Sequence, residues 1–213
     1  MSYQDMLTGS RIRAGLIALI LVAILVTVGL VVVSNNAPVA STVQVADCLA
    51  TADDEGCIVF PTVTGSNLNA EERTFPADFA GDFNLIIIPF DDDQQQGALT
   101  WLPLARSLRQ TDPGFAYYNL PTLSDVSPAL RLVIRGGMTL LITEDDLREA
   151  TVFLFLKEFD LFLDTLGIAG TDAMAVLLLD NAGQVLWRAT GNFTEAGGDS
   201  LRDELAQRGM APD

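Results

Sequence analysis

The chain has 213 residues, with 12 basic and 28 acidic side chains, a formal net charge of −16 and no histidine. That acidic field repels phosphate backbones and excludes nucleic acid as a partner. Without an imidazole there is no Ser-His-Asp or Cys-His nucleophile system, no His-ligated metal or haem, and no His general base.

Residues 14–33, AGLIALILVAILVTVGLVVV, carry no charge and are polar only at Thr27. At ~1.5 Å per residue such a helix matches the ~30 Å core of a bilayer. A transmembrane helix is expected over 14–34, so the lipid bilayer is the first partner. Arg11 and Arg13 precede it and the next basic residue is Arg73. The positive-inside rule keeps 1–13 in the cytoplasm and sends the rest across an inner or plasma membrane. The rival is a cleavable signal peptide. The run is longer than the usual ~7–15 apolar residues, and Pro38 disfavours cleavage after Ala37 or Ala40.

Residues 34–47 read as a polar spacer within an extracytoplasmic linker, 35–57, that holds both cysteines, Cys48 and Cys57. An even pair in an exported segment around a turn-forming loop, CLATADDEGC, predicts a disulfide. Free or partner-linked thiols are the next reading. A redox dithiol is the third, since the spacing is not Cys-x-x-Cys and no basic residue is near.

Residues 58–213 are expected to form one domain. A short strand is predicted at 58–63, a turn at Gly65-Ser66-Asn67, a loop over 75–83, and a buried strand at 84–90. Asp91 to Gly97, DDDQQQG, reads as a polar turn. A helix follows, capped by Thr100, with Pro103 in its first turn and Trp101, Leu102, Leu104, Ala105 and Leu108 on its apolar face. Then come a strand at 115–120 and a helix over 124–138 leaving at Gly136-Gly137. Thr143 and Asp146 form a possible capping box. A strand at 151–156 precedes a helix over 158–166 closed by Gly167. The chain ends with a hairpin of 174–179 and 184–190 about Asp180-Asn181-Ala182-Gly183, and a helix over 201–208. The fold class is α/β, a mixed sheet flanked by helices.

Two stretches carry a family resemblance. Phe79-x-Gly81-Asp82-Phe83-Asn84-Leu85 leads into the first buried strand. Leu166-Gly167-Ile168-Ala169-Gly170-Thr171 is followed by Leu179-Asp180-x-x-Gly183-x-Val185 and Gly191. Both are similar to the thioredoxin superfamily, and most to its membrane-anchored TlpA/ResA-like branch, over roughly residues 60–208. The resemblance implies a thioredoxin-like domain with a Cys-x-x-Cys at the start of the first helix and a cis-proline opposite it. Here the first place holds Asp91, Asp92, Asp93, Gln94, Gln95 and Gln96, and the second holds Asp172. The expected function is therefore a redox-inactive thioredoxin-like domain that binds, scaffolds or assembles a protein partner in a membrane complex. A similar loss occurs in mitochondrial ATP-synthase assembly factors of the superfamily. The alternative is a membrane-tethered thiol-disulfide or peroxide reductase using Cys48 and Cys57. It would need those sulfurs at the cleft between 91–97 and 171–173.

Asp91-Asp92-Asp93 could collect a hard cation, but adjacent carboxylates rarely converge. A solvated turn is the simpler reading, and no metal or cofactor is expected. Trp101, Tyr117 and Tyr118 are candidates to line a cleft, with core packing as the alternative.

Overall fold

The computed structural model describes residues 40–45 and 57–210. The expected span at 14–34, Cys48 and most of the 35–57 linker lie outside the described residues. Among those described, no helix is long and apolar enough to cross a membrane.

Strand β1 (Val63–Asn67) pairs antiparallel with β2 (Glu72–Phe75) and with β6 (Val152–Leu156). Strand β3 (Phe83–Ile88) lies parallel to β4 (Phe115–Asn119) and antiparallel to β7 (Ala175–Asp180), which forms a hairpin with β8 (Val185–Thr190). β4 continues through Leu120-Pro121 into β5 (Thr122–Ser124), which runs parallel to β6. Thr122 N–H reaches Pro89 O at 3.0 Å on one side, and Leu154 N–H reaches Pro121 O at 3.0 Å on the other. The two four-stranded arrays, β2-β1-β6-β5 and β4-β3-β7-β8, are thereby joined.

The central strands are buried on both sides, and alternation assigns their side chains. Leu85, Ile87, Phe115, Tyr117, Val176 and Leu178 face one core. Ile86, Ile88, Ala116, Tyr118, Leu177 and Leu179 face the other. The first core is covered by α1 (Asp92–Ala98), α2 (Leu102–Thr111), α3 (Pro128–Leu141), α4 (Asp145–Ala150) and α6 (Glu195–Gln207). The second is covered by α5 (Phe159–Thr165) and by Val43 and Phe60.

Several expectations change. Asp91 to Gly97 is not a polar turn. Asp91 is extended, its carboxylate accepts Gln94 N–H at 2.8 Å, and Asp92 and Asp93 occupy the acidic first turn of α1. An N-cap followed by acids is favourable at a helix's positive end. α1 then passes through one 3-10 turn, Leu99–Trp101, into α2, so Thr100 lies inside helical structure and is not its start.

The strand expected at 58–63 forms at 63–67 instead, where Gly65 lets β6 approach closely. A Cβ there would lie 2.4 Å from Phe153 O. Gly136 and Gly137 are interior to α3. Its exit is held by Arg148, whose guanidinium donates to Thr139 O at 3.0 Å and Ile142 O at 3.1 Å. The capping box at Thr143 does not form; the N-cap of α4 is Glu144, whose side chain makes no capping bond. The last helix starts at Glu195, because Thr194 caps it by accepting Gly197 N–H at 3.1 Å. Residues 40–45, read as spacer, lie on the domain: Ser41 N–H donates to Phe155 O at 2.8 Å, and Val43 is buried.

Candidate functional site

The carboxyl end of β3 and the start of β7 meet where Ile88 faces Ala175. At this edge of an open α/β sheet, ligands and chemistry generally sit. The start of α1 and the 171–173 loop form its two lips.

Gln94 joins them. Its amide oxygen accepts Phe90 N–H at 3.0 Å, and its amide nitrogen donates to Thr171 O at 2.7 Å and to Asp91 Oδ2 at 3.1 Å. The side chain thus bridges the two lips and uses both of its donors. Asp91, Asp92, Asp93, Gln96 and Asp172 are exposed. Of the seven residues expected here, Gln94 is bonded to the 171 loop directly and Asp91 is joined to it through Gln94.

Gln95 points the other way. It is 6% exposed, and neither amide atom has a hydrogen-bond partner among the described residues. Beside it is a cavity of about 50 Å³, walled by Phe90, Pro121, Leu123, Ile134, Met138 and Phe153. A buried amide without a partner is costly, which makes this position chemically exceptional.

Among the described residues no set of three or more Asp, Glu, Cys or His side chains is placed to hold a metal. Asp91 is engaged as a helix cap. Cys57 is disulfide-bonded, and Cys48 is the only other cysteine in the sequence. Cys57 precedes Ile58, whose carbonyl accepts Val185 N–H at 2.8 Å near the β7–β8 turn. The lips are at the other end of that hairpin, where Thr190 faces Ala175. Five residue steps along the strand lead from Val185 to Thr190, about 17 Å.

Trp101, Tyr117 and Tyr118 do not line the cleft together. Trp101 is 1% exposed, donates its indole N–H to Gly191 O at 3.0 Å, and meets Phe193 edge-on at 5.3 Å. Tyr117 and Tyr118 are neighbours on β4 and so project into opposite cores. Both reach a separate polar pocket of about 240 Å³, with Arg73, Arg109, Asp78 and Glu149 around it.

A network at that pocket joins residues that no sequence signal connects. Tyr117 O–H donates to Asp146 Oδ2 at 2.8 Å, and Arg106 donates to Asp146 at 2.9 Å and to Glu144 at 2.5 Å. Burial, then the bond to Asp146, pushes the Tyr117 phenol up. Burial alone would raise the Asp146 carboxyl, but the hydrogen bonds from Tyr117 and Arg106 outweigh it and hold the group below its ordinary value. The Arg106 guanidinium is raised, first by Glu144 and then by Asp146. The partners lie about 30–40 positions apart, so no local motif marks them.

No protein-family model matches the chain, and no curated relative does. Solved structures do. An Aquifex aeolicus protein assigned to electron transfer superposes with a TM-score of 0.51 at 11% identity, covering 71% of this chain and 97% of that one. The thioredoxin domain of a Bacteroides vulgatus thiol-disulfide oxidoreductase gives 0.43 at 17% identity, covering 74% and 99%. A thiol:disulfide interchange protein from Bacteroides sp. gives 0.46 at 18%, covering 72% and 88%. At 11% identity the Aquifex aeolicus match shows a shared fold alone and leaves activity to the site itself. With its mixed sheet, flanking helices and terminal hairpin, the described domain has the thioredoxin-like fold.

Proposed function

We propose that the protein is a single-pass membrane protein whose extracytoplasmic thioredoxin-like domain is redox-inactive and serves to bind, scaffold or assemble a protein partner in a membrane complex. The observation that carries this is the bridge from Gln94 to Thr171 O across the two lips. A thiol-disulfide enzyme needs a thiolate at this position, lowered in pKa by a helix start or a neighbouring cation. The first turn of α1 supplies carboxamides and carboxylates, and carboxylates raise a thiol pKa. The lips are held together by a neutral side chain, a structural use of the place. Membrane anchorage rests on residues 14–33, and orientation on Arg11 and Arg13.

The reductase alternative would use Cys48 and Cys57. The position of Ile58 beside Val185, about 17 Å along the hairpin from the lips, counts against that use. The test is insulin reduction by the purified full chain in detergent. No turnover above the uncatalysed rate is expected. Turnover abolished by Cys48→Ser would establish the reductase instead.

A further inference from the structure

Helix α3 has an unusual surface. It spans 14 residues, PALRLVIRGGMTLL, without an acidic side chain. Its only charged groups, Arg131 and Arg135, turn inward. Arg131 is buried, donates to Val126 O at 2.8 Å, pairs with Asp125 and lies 5.8 Å from the Phe155 ring centre. Arg135 is half-buried against Ser66. Ile134 and Met138 pack into the core.

What remains outside is apolar. Leu130 is 46% exposed, Val133 42%, Leu140 70% and Leu141 74%. At about 100° per residue these four fall within a stripe about 100° wide. Gly137 is in the middle of it, with open space where its Cβ would be. A surface helix ordinarily turns a charged face to water, and one apolar on both sides has something covering it.

The stripe continues past Leu141. A wide groove there is lined by Leu99, Leu102, Pro103 and Leu147, with Arg106 and Glu144 its only charged residues, paired to each other at 2.5 Å. On a chain of net charge −16 this face presents no net charge.

The covering layer is indicated by where the chain leaves the domain. Ser41 sits on the last residues of β6: its N–H donates to Phe155 O, and its carbonyl accepts Lys157 N–H at 3.1 Å. Asp125, three residues before α3, donates its N–H to Leu156 O at 2.8 Å. The exit toward the apolar segment 14–33 is therefore beside the start of α3. Seven Cα steps connect Val33 to Ala40, a reach of no more than about 25 Å. A helix of the length of α3 covers about 21 Å.

We propose that α3 lies flat in the outer interface of the bilayer that anchors the chain, with Leu130, Val133, Leu140 and Leu141 buried among the lipid. The inference rests on the anchoring reading of 14–33. The lipid is recognised by its apolar layer and not by headgroup charge, because Arg131 is engaged inside and Arg135, half-buried against Ser66, lies off the apolar stripe. The domain is thereby held in one orientation, with its other face free for a partner.

The test is photo-crosslinking of the full chain in phosphatidylcholine vesicles, with a diazirine residue at Leu130, at Leu140, or at Asp160 on α5 as control. The vesicles are floated before illumination. Lipid adducts at 130 and 140 are expected to exceed those at 160 roughly tenfold. The pair Leu140→Glu and Leu141→Glu should leave flotation intact and lower the lipid adducts at 130 by a similar factor. Adducts to a second copy of the chain, or solvent products alone in floated protein, would overturn the proposal while leaving anchorage standing. Protein that fails to float would overturn anchorage and this inference with it.

Discussion

Gln94 and Gln95 are adjacent and chemically identical, yet their amides meet opposite fates. One satisfies Phe90, Asp91 and Thr171; the other has no partner among the described residues. Replacing Gln95 by Met keeps the volume and removes the buried polar atoms. Gln95→Met should be neutral or stabilise the protein by up to about 2 kcal/mol in urea unfolding. A clear loss would mean the amide meets a polar group.

At the second pocket, Tyr117→Phe removes the bond to Asp146 and should cost about 0.5–1.5 kcal/mol. The Asp146 carboxyl is held below its ordinary value, so its contribution is complete above the unfolded pKa, about 3.9. It is lost as pH falls through the lower folded value. Tyr117 is raised, so its contribution is complete below about pH 10 and declines as pH rises beyond. Urea midpoints measured across pH should show both limbs. Asp146→Asn should flatten the acid limb and shrink the alkaline one to the part that burial of Tyr117 causes.

At the level of elements, Gly65 is where backbone proximity governs. An added methyl would sit 2.4 Å from Phe153 O and 2.8 Å from Val152 Cγ1, so β1 and β6 would have to part. Gly65→Ala should destabilise by about 1–3 kcal/mol, read from the urea midpoint. Strands 83–88, 115–119, 152–156 and 175–180 were legible because each is a short apolar run between polar residues. β2 and β5 were not, because ERTF and TLS carry no such run and owe their state to neighbours. The misreading of DDDQQQG has a similar cause. Its composition is that of a turn, while its helical state depends on Asp91 being extended and on the packing of Gly97 and Ala98 below. At the candidate site the missing thiols were legible from residue identity, but the bridge from Gln94 to Thr171 was not, since 77 positions separate them.

At the scale of the molecule, the orientation expected from Arg11 and Arg13 has a direct test. Protease added to intact spheroplasts should digest the domain; protection would reverse the proposed topology. The sequence by itself determined the absence of imidazole chemistry, the absence of a thiol at the first helix, the acidic character and the alternation that gives central strands two apolar faces. Those are properties of residue identity and spacing, and no packing alters them. Tertiary structure alone decided which side of the sheet each helix covers, that Trp101 belongs to the core, that Arg106 meets Tyr117 through Asp146, and that α3 turns Arg131 inside and Leu130, Leu140 and Leu141 outside. Each depends on contacts between distant residues. A hydrophobic period of about 3.6 identifies a helix and its apolar face, but it does not say how much of that face a neighbour will cover.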